Sequence, residues 1–325
     1  MAKVKNFKTI FPAVSVPLND DYSINESEFR AYLRWIKTFY GKGMDGLVCN
    51  GHTGEITGLT RAERKRVVEI CAEECGDVMT IISGVNCENT AESIEMAKEA
   101  KEAGADGILL MPPHMWLRFG MNPDAPFEYA KDVAEGADID IIIHLYPATS
   151  KAFYPVETLI KMCKEIDHVK CIKMGTRVTS IYEHDVRLLR QECQDISLIT
   201  CHDETLCVSW FPGMDGALIG FAGCVPEIIC PAREVFANPD KHTLKEAQDW
   251  SDRIYHISQA IYGGGQPSGE AHARLKEALK QRGIFSSALM RKPVLPLNQE
   301  EKDWVALGLE RSQLPEVDMA QFEDK

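Results

Sequence analysis

The sequence predicts a (β/α)8 barrel, the TIM-barrel architecture, followed by a C-terminal helical extension. Eight short apolar runs alternate with segments of helical spacing through residues 1–235, whereas residues 236–325 show helical spacing alone. An apolar strand followed by a helix, repeated along a chain, is typical of a parallel sheet covered by helices. Eight such repeats in this length favour closure into a barrel over an open sheet. We therefore expect a barrel domain at 1–235 and a helical region at 236–325.

The runs predicted as strands are apolar at almost every position. In chain order they are TIFPAVSVPL, DGLVCNG, VMTIISGVN, DGILLMPP, IDIIIHLYP, HVKCIKMG, ISLITCHDE and DGALIGFAG. Short runs of this composition are typical of buried parallel strands. No G-x-G-x-x-G follows the first of them, which weakens the alternative of an open dinucleotide-binding sheet.

Segments of helical spacing lie between these strands. Clear examples are 26–40, 61–75, 90–103, 155–165 and 181–193. After Pro226 three further segments have the helical pattern: TLKEAQDWSDRIYHISQAIY, SGEAHARLKEALKQRG and NQEEKDWVALGLERSQ. We interpret them as the C-terminal helices, with the glycine-rich stretch 262–269 as a turn between the first two.

The composition excludes several classes of protein. A chain of 325 residues with 45% hydrophobic and 26% charged residues can bury a large core. Its net charge of -13 argues against binding nucleic acid or an anionic membrane, because both favour an excess of Lys and Arg. We find no signal peptide and no window close to the roughly 18 apolar residues of a membrane span. The 11 cysteines contain no C-x-x-C pair, so we expect reduced thiols in a cytoplasmic protein.

Polar side chains follow or end several predicted strands, which is where a barrel of this type builds its active site. In strand order they are Asn50 to Glu55, His114, His144, Tyr146, Lys173 and His202 to Glu204. Because the carboxyl ends of all the strands meet at one face of the barrel, we expect these residues to converge on one pocket.

Lys173 is the residue in this set whose position most needs a chemical reason. It ends an apolar strand, where an ammonium group is costly to desolvate unless it is paired or neutralised. A lysine whose pKa falls below its ordinary value of about 10.4 can attack a ketone as the neutral amine and form a Schiff base. The iminium then acts as an electron sink for aldol cleavage or β-elimination, with a nearby hydroxyl or imidazole moving protons. The spacing alone also permits a lysine at the barrel rim whose ammonium reaches water.

The segment NGHTGEITGLTRAER predicts a glycine-flanked turn between the second strand and its helix. The N–H groups of such a turn and the hydroxyl of Thr53 can hold a carboxylate. Glu55 can instead cap or pair within the turn. A short glycine-rich turn is also what an ordinary strand-to-helix loop contains, so the motif by itself is a weak signal.

Taken together, these residues resemble the dihydrodipicolinate synthase/N-acetylneuraminate lyase family of class I (Schiff-base) 2-oxo acid aldolases. The resemblance covers almost the whole chain. It is carried by FPAVSVPLNDDYSINESEFRAYLRWI, DGLVCNGHTGEITGLTRAER, AKEAGADGILLMPP, CIKMG and LKEALKQRGIFSSALMRKPVLPLNQEE. Of these, CIKMG is similar to the family strand that carries the Schiff-base lysine.

The resemblance implies a barrel that binds a 2-oxo acid, usually pyruvate, as an imine on Lys173. Gly51, Thr53 and Gly54 match the turn that holds the keto acid carboxylate, and Ile219 falls where the family places backbone contacts beside it. Members are mostly homotetramers, so a homotetramer is the expected assembly. We expect neither a cofactor nor a metal.

The chain departs from the family pattern at the proton relay. The fifth strand of the family normally ends Tyr-Asn-x-Pro with that tyrosine as the proton shuttle, whereas this chain has HLYPATS. Alignment on the proline puts His144 in the tyrosine's place, with Tyr146 two residues later on the same face. The sequence does not decide between them.

Three further positions differ from the family. His52 replaces a hydroxyl residue of the carboxylate turn, and PPHMW replaces a paired tyrosine after strand four. These changes suggest a proton path through imidazoles. Thr149 stands where the lysine-biosynthesis synthases carry an arginine for the carboxylate of their aldehyde. We therefore do not expect a true dihydrodipicolinate synthase.

The leading hypothesis from the sequence is a pyruvate- or 2-oxo-acid-dependent aldolase. Lys173 would be its nucleophile, with Tyr146 or His144 as general acid and base. Dehydration or deamination of a 2-keto-3-deoxy acid through the same imine is the nearest alternative. Two alternatives from other classes are a metal-dependent hydrolase or aldolase, built on the strand-end residues His52, His114, His144, His202 and Asp203, and a non-catalytic regulatory relative.

Overall fold

A computed structural model describes residues 3–263 and 269–323. Its centre is one sheet of eight parallel strands in the order β1-β8-β7-β6-β5-β4-β3-β2. The strands are β1 Ile10–Pro12, β2 Gly46–Cys49, β3 Thr80–Val85, β4 Gly107–Leu110, β5 Asp140–His144, β6 Val169–Met174, β7 Ser197–Thr200 and β8 Gly216–Ile219. Each lies within one of the eight runs predicted as strands.

The sheet closes into a barrel. At one junction β1 pairs in parallel with β8, with Ile10 beside Ala217. At the other, a parallel bridge joins Ala13 to Val48, and the N–H of Val14 donates to the carbonyl of Val48 at 2.9 Å. The predicted barrel is therefore confirmed, and its shortest strand is β1.

Helices follow the strands and form the outer layer. They are α1 Glu26–Lys37, α2 Arg61–Cys75, α3 Thr90–Glu102, α4 His114–Phe119, α5 Ala125–Ala137, α6 Val156–Glu165, α7 Thr179–Glu192, α8 Leu206–Trp210 and α9 Pro226–Ala237. Helix α2 begins with a capping box, in which Thr60 and Glu63 satisfy each other's backbone N–H groups. This cap ends the loop that follows β2 and fixes where the helix starts.

The C-terminal region consists of α10 Leu244–Tyr262, α11 Gly269–Gln281 and α12 Gln299–Arg311. Arg282, almost fully buried after α11, donates to the carboxylate of Glu227 on α9 at 2.7 Å and ties this region to the barrel. The predicted boundary at 235/236 falls in the last turn of α9. Except for its ends, the predicted glycine-rich turn lies outside the described residues.

Side chains alternate between the barrel interior and the layer under the helices, as the two-residue period of a strand requires. One residue of each strand fills an interior layer: Phe11, Val48, Ile82, Leu109, Ile142, Cys171, Ile199 and Leu218. Two residues further along each strand come Ala13, Asn50, Gly84, Met111, His144, Lys173, Cys201 and Gly220. This second layer lies at the carboxyl end of the barrel, and it places polar groups directly above an apolar floor.

Candidate active site

A cavity of about 220 Å³ opens at the carboxyl ends of the strands. It is lined by Ala13, Gly51, His52, Thr53, Leu109, His144, Tyr146, Pro147, Lys173, Arg177, Cys201, Asp203, Leu218, Gly220, Tyr262 and His272. Leu109 and Leu218 belong to the interior layer and form its floor. The strand-end residues that the sequence singled out therefore meet in part, and residues from two C-terminal helices join them.

Lys173 lies in this cavity. It is in register with His144 on the neighbouring strand, and its side chain is partly buried. Burial lowers the pKa of Lys173; nearby Cys201 and Asp203 partly offset this, and the positive charge of Arg177 adds to it. Asp203 acts on the amine through space rather than as an ion pair. A larger fraction of Lys173 is therefore neutral at a given pH than of an exposed lysine.

Three rings meet beside the lysine, and we call them the ring cluster: His52, His144 and Tyr146. The centroid of the His144 ring lies 4.8 Å from that of Tyr146 and 5.7 Å from that of His52. The hydroxyl oxygen of Tyr146 lies 3.1 Å from Nε2 of His52. Burial raises the pKa of Tyr146, so the hydroxyl keeps its proton; the tautomer of His52 decides which of the two groups donates the hydrogen bond.

Both histidines of the ring cluster are neutral at pH 7. Burial, then the charge of Lys173, holds the pKa of His144 well below its ordinary value. The same two causes lower the pKa of His52, although its ring is exposed at the cavity mouth, where water weakens the effect. Nδ1 of His144 is buried and has no hydrogen-bond partner among the described residues. The cluster therefore offers neutral donors and acceptors rather than positive charge.

The loop after β2 has left-handed backbone conformations at Asn50 (φ 52°) and Glu55 (φ 57°), which bend it sharply over the cavity. A side chain at Gly54 would begin 3.1 Å from both the backbone N of Asn50 and the carbonyl O of Val14, so the position has little room for one. The N–H groups of Glu55 and Ile56 bond to carbonyls within the loop. The remaining N–H groups at the centre of the loop are those of Thr53 and Gly54.

A buried ion pair supports this loop from below. The carboxylate of Glu55 contacts the ammonium of Lys276 on α11, and that ammonium also donates to the carbonyl of Leu289 at 2.8 Å. Glu55 is 8% exposed and Lys276 is 1% exposed. Burial lowers the pKa of Lys276, and the charge of Glu55 opposes that shift. The partner of Glu55 thus comes from the C-terminal region and not from within the turn.

Asp203 organises the side of the cavity formed by the ends of β7 and β8. Its Oδ1 accepts hydrogen bonds from the N–H groups of Gly220 at 2.8 Å and Phe221 at 3.3 Å, and the Tyr262 hydroxyl also hydrogen-bonds to it. A Cβ at Gly220 would lie 2.5 Å from that hydroxyl and 2.9 Å from the hydroxyl of Thr53, so glycine is required sterically. Burial raises the pKa of Asp203 to about 6, which leaves it ionised at pH 7.

Arg177 enters the cavity from the loop after β6, and its hydrogen-bond donors are already used. Its guanidinium pairs with the buried carboxylate of Glu204 through Nε and Nη2. Nη1 donates to the carbonyl of Gly175 at 3.0 Å and Nη2 to that of Cys201 at 3.5 Å. Arg177 therefore links the ends of β6 and β7. It contributes positive charge to the cavity, but its N–H groups are already bonded and do not form a free pair for an anion.

Sequence reasoning missed several residues that line the cavity, and three of them carry strongly hydrogen-bonding side chains: Arg177, Tyr262 and His272. Arg177 could have been found, because it follows the β6 lysine by four residues. Tyr262 and His272 lie on α10 and α11, about 90 to 100 residues beyond the lysine. No local pattern marks them as cavity residues, since their position depends on how the C-terminal helices pack.

Some residues that the sequence singled out lie elsewhere. Ile219 is outside the lining because its side chain alternates outward, and its carbonyl accepts the Ala13 N–H at 3.1 Å; its neighbours line the cavity instead. His114 is exposed at the start of α4. His202 faces a neighbouring cavity. Within residues 3–263 and 269–323, no three His, Cys, Asp or Glu side chains are placed to hold a metal ion.

That neighbouring cavity is larger, about 510 Å³, and lies between α7 and α8. It shares Arg177 with the first cavity and contains His202, whose pKa burial lowers to about 4. Lys173 does not line it. Among the described residues that line the two cavities, the one lysine is Lys173, whose pKa burial lowers, and we therefore take the smaller cavity as the candidate active site.

The chain matches the model of the dihydrodipicolinate synthetase family over residues 6–311. It belongs to that family. Members of the dihydrodipicolinate synthetase family are lyases of the aldolase type, so this protein is grouped with enzymes. Among curated relatives, the 4-hydroxy-tetrahydrodipicolinate synthase of Bartonella bacilliformis is 26% identical, covering 94% of this chain and 98% of the relative. An uncharacterized DapA-like lyase of Thermofilum pendens is 25% identical over 89% of this chain and 92% of its own length.

Solved structures show the same fold. The dihydrodipicolinate synthase of Aquifex aeolicus superposes with a TM-score of 0.82 at 19% identity, covering 95% of this chain and 99% of that one. YagE, a prophage protein of the dihydrodipicolinic acid synthase family from E. coli K12 solved in complex with pyruvate, gives 0.84 at 19% identity, with the same two coverages. In the described part of the chain, every helix is too short or too polar to cross a membrane.

Proposed function

We propose that this protein is a Schiff-base-forming aldolase that uses pyruvate or a similar 2-oxo acid, with Lys173 as the nucleophile. One observation carries the proposal: the amine lies in a cavity above an apolar floor, and burial lowers its pKa. A rim lysine pointing into bulk solvent would have neither property. That YagE was solved with pyruvate supports the choice of keto acid.

The loop after β2 is the proposed carboxylate site. Gly51, His52 and Thr53 line the cavity, and Gly54 lies next to them in the chain but outside the lining. We propose that the N–H groups of Thr53 and Gly54 and the Thr53 hydroxyl hold the carboxylate. With the carboxylate held there, the keto carbon of pyruvate comes within reach of Lys173. For Ile219 we propose a contribution through the backbone of β8 only, because its neighbours Leu218 and Gly220 line the cavity.

The chemistry balances without a redox partner. The neutral amine of Lys173 adds to the keto carbon and water leaves, which gives an iminium. Loss of a proton from the adjacent methyl group forms an enamine, whose carbon attacks an aldehyde, and the aldehyde oxygen takes a proton. Hydrolysis of the new iminium releases the aldol product and restores the amine.

Tyr146 is the proposed proton shuttle. Its hydroxyl bonds to Nε2 of His52, and His52 is exposed at the mouth, so the pair connects the cavity to solvent. His144 is buried, packs against the Tyr146 ring and directs it. The relay thus runs from Tyr146 through a neutral imidazole to water, and His144 is a positioning residue.

We expect Tyr146→Phe to lower kcat by about 10²-fold or more, since a positioned general acid and base contributes roughly that much. The imine still forms, because the amine is untouched, so trapping with borohydride and pyruvate continues. Steady-state kinetics and intact-mass detection of the adduct measure the two steps separately. His144→Asn is the matched comparison: a larger loss in kcat there than in Tyr146→Phe would make His144 the shuttle instead.

The pH dependence of imine formation follows from Lys173. Only the neutral amine adds to pyruvate, so the rate falls as the pH drops through the pKa of Lys173 in the folded protein. Burial lowers that pKa, so we expect half-maximal imine formation at a pH below the ordinary lysine value of about 10.4. Rapid quenching into borohydride at a series of pH values gives the midpoint. A midpoint at or above the ordinary value would contradict the proposed desolvation.

Borohydride trapping tests the proposed function directly. Incubation with pyruvate and borohydride should add one reduced pyruvyl group, located at Lys173 by peptide mapping, and a chelator should leave turnover unchanged. Loss of activity with chelator and no adduct would select metal-dependent chemistry. Failure to trap any of a panel of 2-oxo acids would select a non-catalytic relative.

The reaction is proposed to differ from dihydrodipicolinate synthesis. Thr149, where those synthases carry an arginine, is exposed and does not line the cavity. Dehydration or deamination of a 2-keto-3-deoxy acid through the same imine is distinguished by products, because aldol cleavage releases pyruvate and an aldehyde, whereas elimination does not release pyruvate.

We also propose a homotetramer acting in the cytoplasm, with sedimentation velocity as the test of assembly.

A further inference from the structure

The uncharged part of the cavity lining suggests which aldehydes the enzyme accepts. Above the lysine and the floor, His52, Tyr146 and His272 line the cavity, and we call these three the roof. Burial lowers the pKa of His272 to about 4, so all three roof side chains are neutral at pH 7. Each carries hydrogen-bond donor or acceptor atoms. The roof can therefore bond to hydroxyl groups but does not attract an anion.

The two cations of the lining are both committed. Lys173 is consumed by the imine, and Arg177 is held by Glu204 and two backbone carbonyls. Among the described lining residues no other Lys or Arg is present. A carboxylate or phosphate at the far end of an aldehyde would therefore be desolvated without a paired charge, which is unfavourable.

His272 lies on a helix that a buried ion pair anchors beside the cavity. It lies one helical turn before Lys276, and the buried contacts of Lys276 with Glu55 and the Leu289 carbonyl lock that face of α11. The electrostatic influence of Lys173 reaches its ring. A neutral imidazole that lines the cavity, on a helix anchored by a buried ion pair, is placed to act as a recognition group.

We infer that the second substrate is an uncharged aldehyde of about three to five carbons that carries hydroxyl groups, and that His272 is a specificity-determining residue which bonds to one of those hydroxyls. The inference rests on the proposed function. The short chain follows from the cavity of about 220 Å³, which is below the roughly 300–1,000 Å³ of sites for larger ligands.

The test uses the full-length enzyme with pyruvate and five aldehydes: glyceraldehyde, erythrose, propanal, glyceraldehyde 3-phosphate and succinate semialdehyde. We expect kcat/KM for glyceraldehyde or erythrose to exceed that for the other three by about tenfold or more. A site built to bond hydroxyls rejects propanal, which lacks them, and the lining has no uncommitted cation for the phosphate or carboxylate of the other two. His272→Leu should raise KM for the hydroxylated aldehydes by about tenfold, and His272→Gln should recover part of the loss. His184→Leu, at an exposed histidine of α7, is the matched control.

A structural role for His272 would lower kcat/KM for propanal as much as for glyceraldehyde, and that result would overturn its assignment. Preference for the phosphorylated or carboxylated aldehyde would overturn the substrate class. Trapping of the pyruvate imine is measured alongside. If the imine forms and neither hydroxylated aldehyde reacts, this inference fails while the proposed function stands; if no imine forms, both fail.

Discussion

Lys173→Met should abolish turnover and leave the fold intact. Methionine is apolar and close in size to the lysine stem, so it fits the interior face of β6 without a buried charge. Removing a covalent nucleophile typically costs about 10⁴-fold or more, because the remaining site can only bind and orient. We therefore expect kcat/KM to fall by at least about 10⁴-fold, and borohydride with pyruvate to leave the protein mass unchanged.

Lys170 provides a matched control on the same strand. It is exposed on β6, three residues before Lys173, and it does not line the cavity. Lys170→Met should keep full turnover and full adduct formation. An adduct that persists in Lys173→Met, or one that disappears in Lys170→Met, would show that a different amine condenses with the keto acid.

Lys276→Met should cost about 3–5 kcal/mol of the free energy of unfolding, the usual effect of removing one partner of a buried ion pair. The loss leaves the carboxylate of Glu55 buried next to an apolar side chain, with its ion-pair partner gone. Because Glu55 ends the proposed carboxylate loop, we also expect a higher KM for pyruvate. Urea denaturation followed by circular dichroism measures the first effect, and steady-state kinetics the second.

Two further variants separate the ion pair from other consequences of the substitution. Adding Glu55→Gln to Lys276→Met removes the stranded charge and should recover part of the lost stability. Lys245→Met breaks an exposed pair with Asp249 and should cost no more than about 0.5 kcal/mol. Equal losses in Lys276→Met and Lys245→Met would contradict the role given to burial.

The strands of the barrel could be predicted from the sequence, and so could several of its helices, whereas the two helices between β4 and β5 were not distinguished. Every strand of the barrel lies within a run chosen for its apolar pattern, and α2 begins and ends at the predicted residues, Arg61 and Cys75. Helix α1 ends at Lys37 rather than Tyr40, as is common at helix ends, where a residue or two more still satisfies the spacing. This was possible because the same pattern, an apolar strand followed by a helix, occurs eight times along the chain.

The site could be predicted in part. Lys173, His144, Tyr146 and the loop after β2 line one cavity, since each lies at or directly after the carboxyl end of a strand. Ile219 was placed by matching a motif, and the strand's alternation turns its side chain outward. His202 follows the adjacent strand β7 but faces a different cavity.

Alternation and chain order therefore determined the barrel, the strand that carries the amine and the end of the barrel where the candidate site lies, because these depend on periods of two to four residues. Tertiary packing decided the rest. Whether Tyr146 bonds to His52, which cation supports Glu55 and which imidazole covers the cavity depend on contacts between segments about 90 to 220 residues apart. Such contacts arise when the barrel closes and the C-terminal helices dock on it, so no local pattern in the chain encodes them.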